Sequence, residues 1–127
     1  MYWMSAERMI CASHVVSDAA EGRQGLHGHN WKVSAHVRAE RLDRSGQVLS
    51  PTVLEAELWA ILDPIDHRHL NDLASFHSGK GPFPTTAAGL ARLVGEQLAA
   101  RINDDRVQLR RVDVRPRAGL LISWEQP

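Results

Sequence analysis

The sequence predicts one α+β domain, spanning 1–127, in which an antiparallel sheet carries two helices on one face. Apolar and polar residues alternate through 31–38, which is typical of a half-buried antiparallel strand. Two later segments repeat apolar residues at helical spacing. Strand-like segments also occur in pairs on either side of those helices, and paired strands favour hairpins with helices packed against them. A chain of 127 residues has room for one such domain.

The first half of the chain predicts two strands and a loop. Residues 2–16 form a mixed apolar segment, interpreted as the first strand, and the polar segment 17–25 is interpreted as a loop. The second strand begins at His27, and residues 43–46 have the composition of the turn that follows it.

The second half predicts two helices and two short strands. Pro51 suits the first turn of a helix that Ser50 could cap and that Asp63-Pro64 ends. The apolar stripe of this helix consists of Leu54, Leu58, Ile61 and Leu62. An irregular stretch, 65–83, leads to the second helix. Its stripe consists of Ala87, Leu90, Ala91, Val94 and Leu98. Residues 107–114 and 120–124 close the sheet.

Composition limits the classes of partner. Fifteen basic and fifteen acidic residues balance, and nucleic acid or an anionic membrane would require a basic surface. Small molecules and other copies of the chain remain, and the open edges of a four-stranded sheet favour pairing between copies. A single cysteine, Cys11, excludes an internal disulfide. No signal-peptide pattern or bilayer-length apolar run is evident, so we expect a cytoplasmic protein.

Three histidines form a candidate metal site. His27 and His29 are two apart in a strand and therefore share one face. His14 ends the preceding strand, which could place its ring beside them. Three neutral imidazoles would leave the fourth position of Zn²⁺ open, as in catalytic zinc sites. The alternative is that these are ordinary strand histidines. His36 lies on the polar side of the same strand and is expected to be solvated.

Three sequence blocks carry a resemblance to a known family. They are Ile-Cys-Ala-Ser-His at 10–14, Leu-His-Gly-His-Asn-Trp at 26–31 and Ile-Asp-His-Arg-His-Leu-Asn-Asp at 65–72. In order and spacing they resemble the 6-pyruvoyl-tetrahydropterin synthase and 6-carboxytetrahydropterin synthase family over nearly the whole chain. Pro-Thr-Thr at 84–86 is similar to the family's Pro-Thr element.

The resemblance implies a fold, an assembly and a chemistry. The fold would be the tunnelling fold (T-fold), a four-stranded antiparallel sheet with two helices on one face. Subunits would form trimeric barrels, often stacked as hexamers, with active sites between subunits. Members act on the three-carbon side chain of a triphosphorylated dihydropterin bound to zinc, whose ligands match His14, His27 and His29. An Asp-His pair matching Asp66 and His67 works with a cysteine in proton transfer. Without the resemblance, that pair would be interpreted as capping the first helix.

Two functional positions of the family differ here. The family's catalytic cysteine corresponds to Arg23, and Glu21 or Gln24 could supply a substitute group. The glutamate that anchors the pterin ring is absent from 112–117, where two arginines would instead favour an anionic group if they face the pocket. The predicted substrate contacts are Arg23, Thr86 and Arg115. Cys11 is expected to point away from His14 as a small buried thiol.

These differences predict a specialised relative. We expect a zinc-dependent lyase or cyclase that acts on a pterin or another small oxygenated substrate. Zinc would activate a substrate oxygen, and Asp66 with His67 would move protons. The alternative is a non-catalytic homologue that keeps zinc for ligand binding or structure.

Overall fold

The computed structural model describes residues 1–18, 22–23, 25–76 and 81–127. The strands are β1 (Tyr2–His14), β2 (Ser17–Asp18), β3 (Gly22–Arg23), β4 (His27–Ala39), β5 (Arg68–His69), β6 (Val107–Arg117) and β7 (Leu120–Glu125). The helices are α1 (Pro51–Leu62) and α2 (Ala87–Ile102), with a short 3₁₀ turn at Leu70–Asp72. The main sheet has the order β5-β1-β4-β6-β7, and β2 pairs with β3.

The predicted α+β class is confirmed, with additions that the sequence pattern did not reveal. The four long strands are antiparallel, and both helices contact the same sheet. The fifth strand, β5, pairs in parallel with only Ala12 and Ser13 of β1. A short β2–β3 pair lies where a loop was expected. Two-residue strands show no alternation of apolar and polar residues, so only the tertiary structure reveals them.

The long β1–β4 pair sets which side chains face the helices. Its register runs without a break from Tyr2 opposite Ala39 to His14 opposite His27. On β4, alternate side chains from Trp31 to Ala39 are buried, as the period-two pattern predicted. The indole N–H of Trp31 donates to the Ala12 carbonyl at 3.0 Å, which joins the two strands inside the core.

A β-bulge keeps β6 in register with the core. His36 pairs with Arg111 and Val37 with Leu109, so Arg110 is the extra residue. Leu109 and the second residue after the bulge, Val112, are therefore both fully buried although they are three apart. The predicted strand 107–114 extends to Arg117. Pro116 lacks an N–H group, but it lies where β6 and β7 shift register, so the strand continues without a hydrogen bond from this residue.

The beginnings of the two helices differ in their capping. α1 ends at Leu62, as Asp63-Pro64 predicted, but Ser50 at its N-cap makes no side-chain cap bond. At α2 the Thr86 hydroxyl accepts from the Gly89 N–H at 3.1 Å. A Cβ atom at Gly89 would overlap the Pro84 carbonyl. This glycine therefore allows 84–86 to lie close against the first turn of α2.

Both edges of the main sheet are largely open in the isolated chain. β5 covers only two residues of β1, and β7 pairs only with β6 among the described strands. Large apolar side chains are exposed near these edges, namely Tyr2, Trp3, Met9, Leu120 and Leu121. Within the described residues, neither helix has the length and apolar character needed to cross a membrane.

Candidate metal centre and active site

His14, His27 and His29 converge at one end of the β1–β4 pair. His14 lies directly opposite His27, and His29 follows two residues along the same strand face. The three ring centroids are 4.5 to 5.2 Å apart. One ring nitrogen from each residue can be chosen so that all three lie within 4.8 Å of one another. The structure thus brings the three predicted ligands together.

Backbone carbonyls orient all three rings. Each imidazole donates a ring N–H to a carbonyl oxygen and keeps its other nitrogen as a lone pair. The acceptors are Thr85 for His14 at 2.6 Å, Gly25 for His27 at 2.8 Å, and Pro116 for His29. A hydrogen bond on the far nitrogen is the usual way in which a protein fixes the tautomer of a metal-binding histidine.

The donor set fits a divalent cation such as Zn²⁺. Nε2 of His14 and Nε2 of His27 face each other at 2.9 Å, while the Nδ1 atoms of both rings donate to carbonyls. In two neutral imidazoles held in this way, the lone pairs of the two Nε2 atoms point at each other. Such an arrangement is unfavourable without a cation or proton between them and favourable with a shared metal ion.

The electrostatic environment keeps the site neutral. Burial lowers the pKa of His14 below its ordinary value of 6.5, and the nearby His27 and His69 lower it further. Burial also lowers the pKa of His29, assisted by its histidine neighbours and Arg117. Metal binding requires unprotonated imidazoles, so these shifts favour a metal site at neutral pH.

A pocket of about 580 Å³ opens over the three histidines. Trp31 forms its floor, with the indole edge-on to His14 and His29 at centroid distances of 5.0 and 4.8 Å. Thr86 and Arg117 also line it. The aromatic floor and the nearby guanidinium make a small space suited to an oxygenated, anionic ligand.

Asp66 and His67 lie outside that pocket. Oδ1 of Asp66 accepts from the Cys11 N–H at 2.9 Å, and the His67 N–H donates to the Cys11 carbonyl at 2.6 Å. The Asp66 carboxylate is 3.0 Å from Nδ1 of His67. The Cys11 N–H, then the charges of His67 and Arg8, hold the pKa of Asp66 below its usual range against the opposing effect of burial. The pair therefore ties the segment after α1 to β1.

The expectation of a buried Cys11 is wrong. Its side chain points away from His14, as predicted, but this direction leads to the exposed sheet face, which the helices do not cover. There the Sγ–H donates to Oδ1 of Asn30 at 3.0 Å. At this end of β1 the side chains of Ile10, Ala12 and His14 point towards the helices and are buried. Because side chains alternate along a strand, Cys11 points to the other face and is exposed.

The predicted substrate contacts fall in different places. Thr86 lines the three-histidine pocket. Arg115 is exposed opposite Lys32, on the face without helices, whereas Arg117 lines the pocket. The backbone of Arg23 belongs to β3, but its side chain, like Glu21 and Gln24, lies outside the described residues.

His36 is not simply solvated, contrary to expectation. Its Nε2 lies 2.9 Å from Oδ2 of Asp113, on the sheet face that carries no helices. Burial alone would raise the pKa of Asp113, but hydrogen bonds from Ser123 and Arg111, with nearby positive charge, lower it. A cross-strand partner on β6 supplies this pair, and nothing near His36 in the sequence signals it.

Sequence reasoning also missed the carbonyls of Gly25, Thr85 and Pro116. Any residue type can supply a backbone carbonyl, so composition carries no signal for these contacts. The only local signal is that Gly25, Pro84 and Pro116 mark turns or irregular backbone, where a carbonyl can point away from regular secondary structure.

Comparison with known proteins agrees with the geometry. A family described as 6-pyruvoyl tetrahydropterin synthase matches residues 4–125. Two Helicobacter pylori proteins named 6-carboxy-5,6,7,8-tetrahydropterin synthase are 34% and 33% identical over 62 residues, or 47% of this chain. The match spans only 31% of the length of these relatives.

Solved structures show the same fold. The Caenorhabditis elegans 6-pyruvoyl tetrahydropterin synthase superposes with a TM-score of 0.81 at 22% identity, covering 99% of this chain and 96% of that one. The Plasmodium falciparum protein of that name gives 0.76 at 17% identity, covering 98% and 97%. With a family match over nearly every residue and this shared T-fold, the chain belongs to the 6-pyruvoyl tetrahydropterin synthase family.

Proposed function

We propose that His14, His27 and His29 bind Zn²⁺ and that the protein is a zinc-dependent lyase or synthase. Its substrate would be a pterin or another small oxygenated molecule. The observation that carries this proposal is the set of three imidazoles, each oriented by a carbonyl, whose free nitrogens converge beneath an open pocket. Three protein ligands with an open side are typical of catalytic rather than structural zinc.

Asp66 and His67 would move protons in this chemistry. When bound, zinc supplies a Lewis acid that makes a C–H or O–H group beside a substrate oxygen more acidic. The Asp66 carboxylate holds Nδ1 of His67, which leaves Nε2 to take a proton from the substrate or return one to it. His67 is 78% exposed, so a substrate or a neighbouring copy can reach it.

A homo-oligomer, trimeric or hexameric, would complete the site. Neither Asp66 nor His67 lines the pocket that the three histidines share in one chain. The open edges of β1 and β7 offer backbone groups for pairing with further copies. We infer that the Asp66–His67 pair of one copy approaches the metal pocket of another, which places the complete site between subunits.

A specialised substrate is supported by the pocket lining. Among the described residues, the pocket contains the cationic Arg117 and no carboxylate. A carboxylate would suit the paired N–H donors of a pterin edge, whereas a guanidinium favours a phosphate or carboxylate of the ligand. The substrate would therefore carry an anionic group and need not carry a pterin ring. A cytoplasmic location remains a prediction.

The test combines metal analysis with turnover. Purified protein should contain about one zinc per chain, and it should transform a dihydropterin triphosphate or a small hydroxyketone phosphate. His67→Ala should lower turnover by about 10²–10⁴-fold and keep the zinc. Absence of stoichiometric metal would contradict the zinc proposal. Retained zinc with no turnover of either substrate class would favour the alternative, a non-catalytic zinc-binding homologue.

A further inference from the structure

We propose that Cys11 is the proton-transferring thiol of this protein, activated by His67, which Asp66 orients. The catalytic part of this inference rests on the proposed function. The reactivity of the thiol does not, because it follows from contacts within one chain.

The three side chains form a compact group on the sheet face that carries no helices. Sγ of Cys11, a ring nitrogen of His67 and a carboxylate oxygen of Asp66 all lie within 4.8 Å of one another. A nucleophile beside a base that a third group orients is the general arrangement for activating a thiol. The bond from Sγ to Asn30 keeps the thiol on that face.

Backbone contacts fix this group in place. The Cys11 N–H is bound by the Asp66 carboxylate, and the Cys11 carbonyl accepts from the His67 N–H. His67 has φ of 61°, the one positive φ among the described non-glycine residues. The left-handed region is costly for residues with a Cβ atom and persists where surrounding contacts hold it. The hydrogen bond to the Cys11 carbonyl thus holds His67 beside β1 in a backbone conformation that is unfavourable for a histidine.

The surroundings give access to the thiol. A cleft of about 420 Å³ is lined by Cys11, Asn30, His67, Arg68 and His69, among others. Reactive cysteines typically lie in partly exposed positions beside a histidine or another basic side chain, whereas structural cysteines are buried and inert.

The proposed step conserves every proton. The Sγ–H bond of Cys11 breaks as its proton passes to Nε2 of His67, giving a thiolate and an imidazolium. The thiolate then takes a proton from a substrate carbon, while the imidazolium gives its proton to a substrate oxygen or to another carbon. The result is a tautomerisation with no oxidant or reductant. The Cys11 thiol on β1 would thereby supply the proton transfer that Arg23, at the family's cysteine position, cannot supply.

Alkylation kinetics test the activation without any substrate. Cys11 is the only cysteine, so iodoacetamide uptake by the intact, metal-containing protein at pH 7, followed by mass spectrometry, reports on this thiol alone. His67→Asn removes the imidazole and keeps a residue that tolerates positive φ. We expect alkylation to slow by about tenfold. Equal rates in the wild type and His67→Asn would overturn the activation.

The chain offers a matched control on the same sheet face. His36 and Asp113 form a second histidine–carboxylate pair at 2.9 Å, six residues further along β4 from the partner of Cys11. His36→Asn should leave the alkylation rate unchanged. A comparable slowing in this control would mean that the effect is not specific to His67, and would also overturn the inference.

Turnover tests the catalytic role separately. Cys11→Ala should lower turnover of the substrates named above by about 10²–10⁴-fold while zinc content stays the same. Wild-type turnover in Cys11→Ala would overturn this role. If the wild type transforms none of those substrates, the proposed function fails, and the alkylation comparison still decides whether His67 activates Cys11.

Discussion

The two faces of β1 carry two different sites within four residues of each other. His14 points to the helix side, where it is 5% exposed and meets two further histidines over a tryptophan floor. Cys11 points to the opposite side, where it is exposed beside Asp66 and His67. The buried site is made from long strands and held by carbonyls of three separate segments. The exposed one is made by a short segment tied to a single strand position.

The three-histidine site therefore depends more on the rest of the fold than the Cys11 group does. A shift of the segment before α2 moves the acceptor of His14, whereas the Cys11 group needs only its local ties to β1. Substitutions should therefore affect metal binding and thiol reactivity independently.

Removing a buried ligand should have the largest effect. His14→Ala takes away one of three nitrogens and leaves a cavity in the metal pocket, so zinc affinity should fall by more than about 100-fold. Chelator competition measures this affinity. Cys11→Ala is the matched variant on the opposite face and should bind zinc like the wild type. Equal losses in both variants would show that the two sites are not independent.

A substitution remote from the ligands should weaken the buried site through its carbonyl support. Gly89→Ala would force 84–86 away from α2, because a Cβ atom there overlaps the Pro84 carbonyl. The neighbouring Thr85 carbonyl holds His14. We expect an unfolding free energy lower by about 1–3 kcal/mol, with zinc affinity about 10-fold weaker.

Denaturant titration and chelator competition measure these two effects. Alkylation of Cys11 should proceed at the wild-type rate in Gly89→Ala, since no contact of that thiol involves 84–86. Unchanged zinc affinity in the destabilised variant would show that the Thr85 carbonyl does not support the ligand.

Acidification should destabilise the metal-free protein through the buried site. The pKa values of His14 and His29 are lowered in the folded chain, so the unfolded chain binds more protons as pH falls below the ordinary value of 6.5. The stability present above pH 6.5 is therefore lost as pH falls through the lowered values. Denaturant unfolding between pH 7.5 and pH 5 measures it, and His14→Gln should flatten the dependence. An equally steep dependence in that variant would place its origin elsewhere.

The smallest effect is expected at the glycine between two ligands. Gly28 lies between His27 and His29 in the strand, so a side chain at this position would point to the opposite face from the two imidazoles. A Cβ atom there would meet the Ala12 carbonyl at 3.5 Å, which is ordinary van der Waals contact. Gly28→Ala should change zinc affinity by no more than about twofold. A larger loss in chelator competition would mean that the backbone at this position must adjust on metal binding.

Local patterns predicted the fold class and the candidate metal ligands. Period-two alternation in 31–38, two helical stripes and the spacing of three motif blocks are properties of neighbouring residues, so the sequence displays them directly. The α+β layer, the ends of α1 and the family followed from these patterns. The two-residue repeat of a strand was enough to place His27 and His29 on one face.

Tertiary structure alone decided which groups meet. The antiparallel register brings His14 opposite His27, and backbone carbonyls from two distant segments orient the rings of His14 and His29. The segment after α1 ties Asp66 and His67 to the exposed face at Cys11, although 55 residues separate Asp66 from that cysteine. Backbone groups look alike in every residue, and contacts across the sheet leave no periodic trace. The physical reason is that such contacts depend on how the strands pair and pack, which no local pattern records.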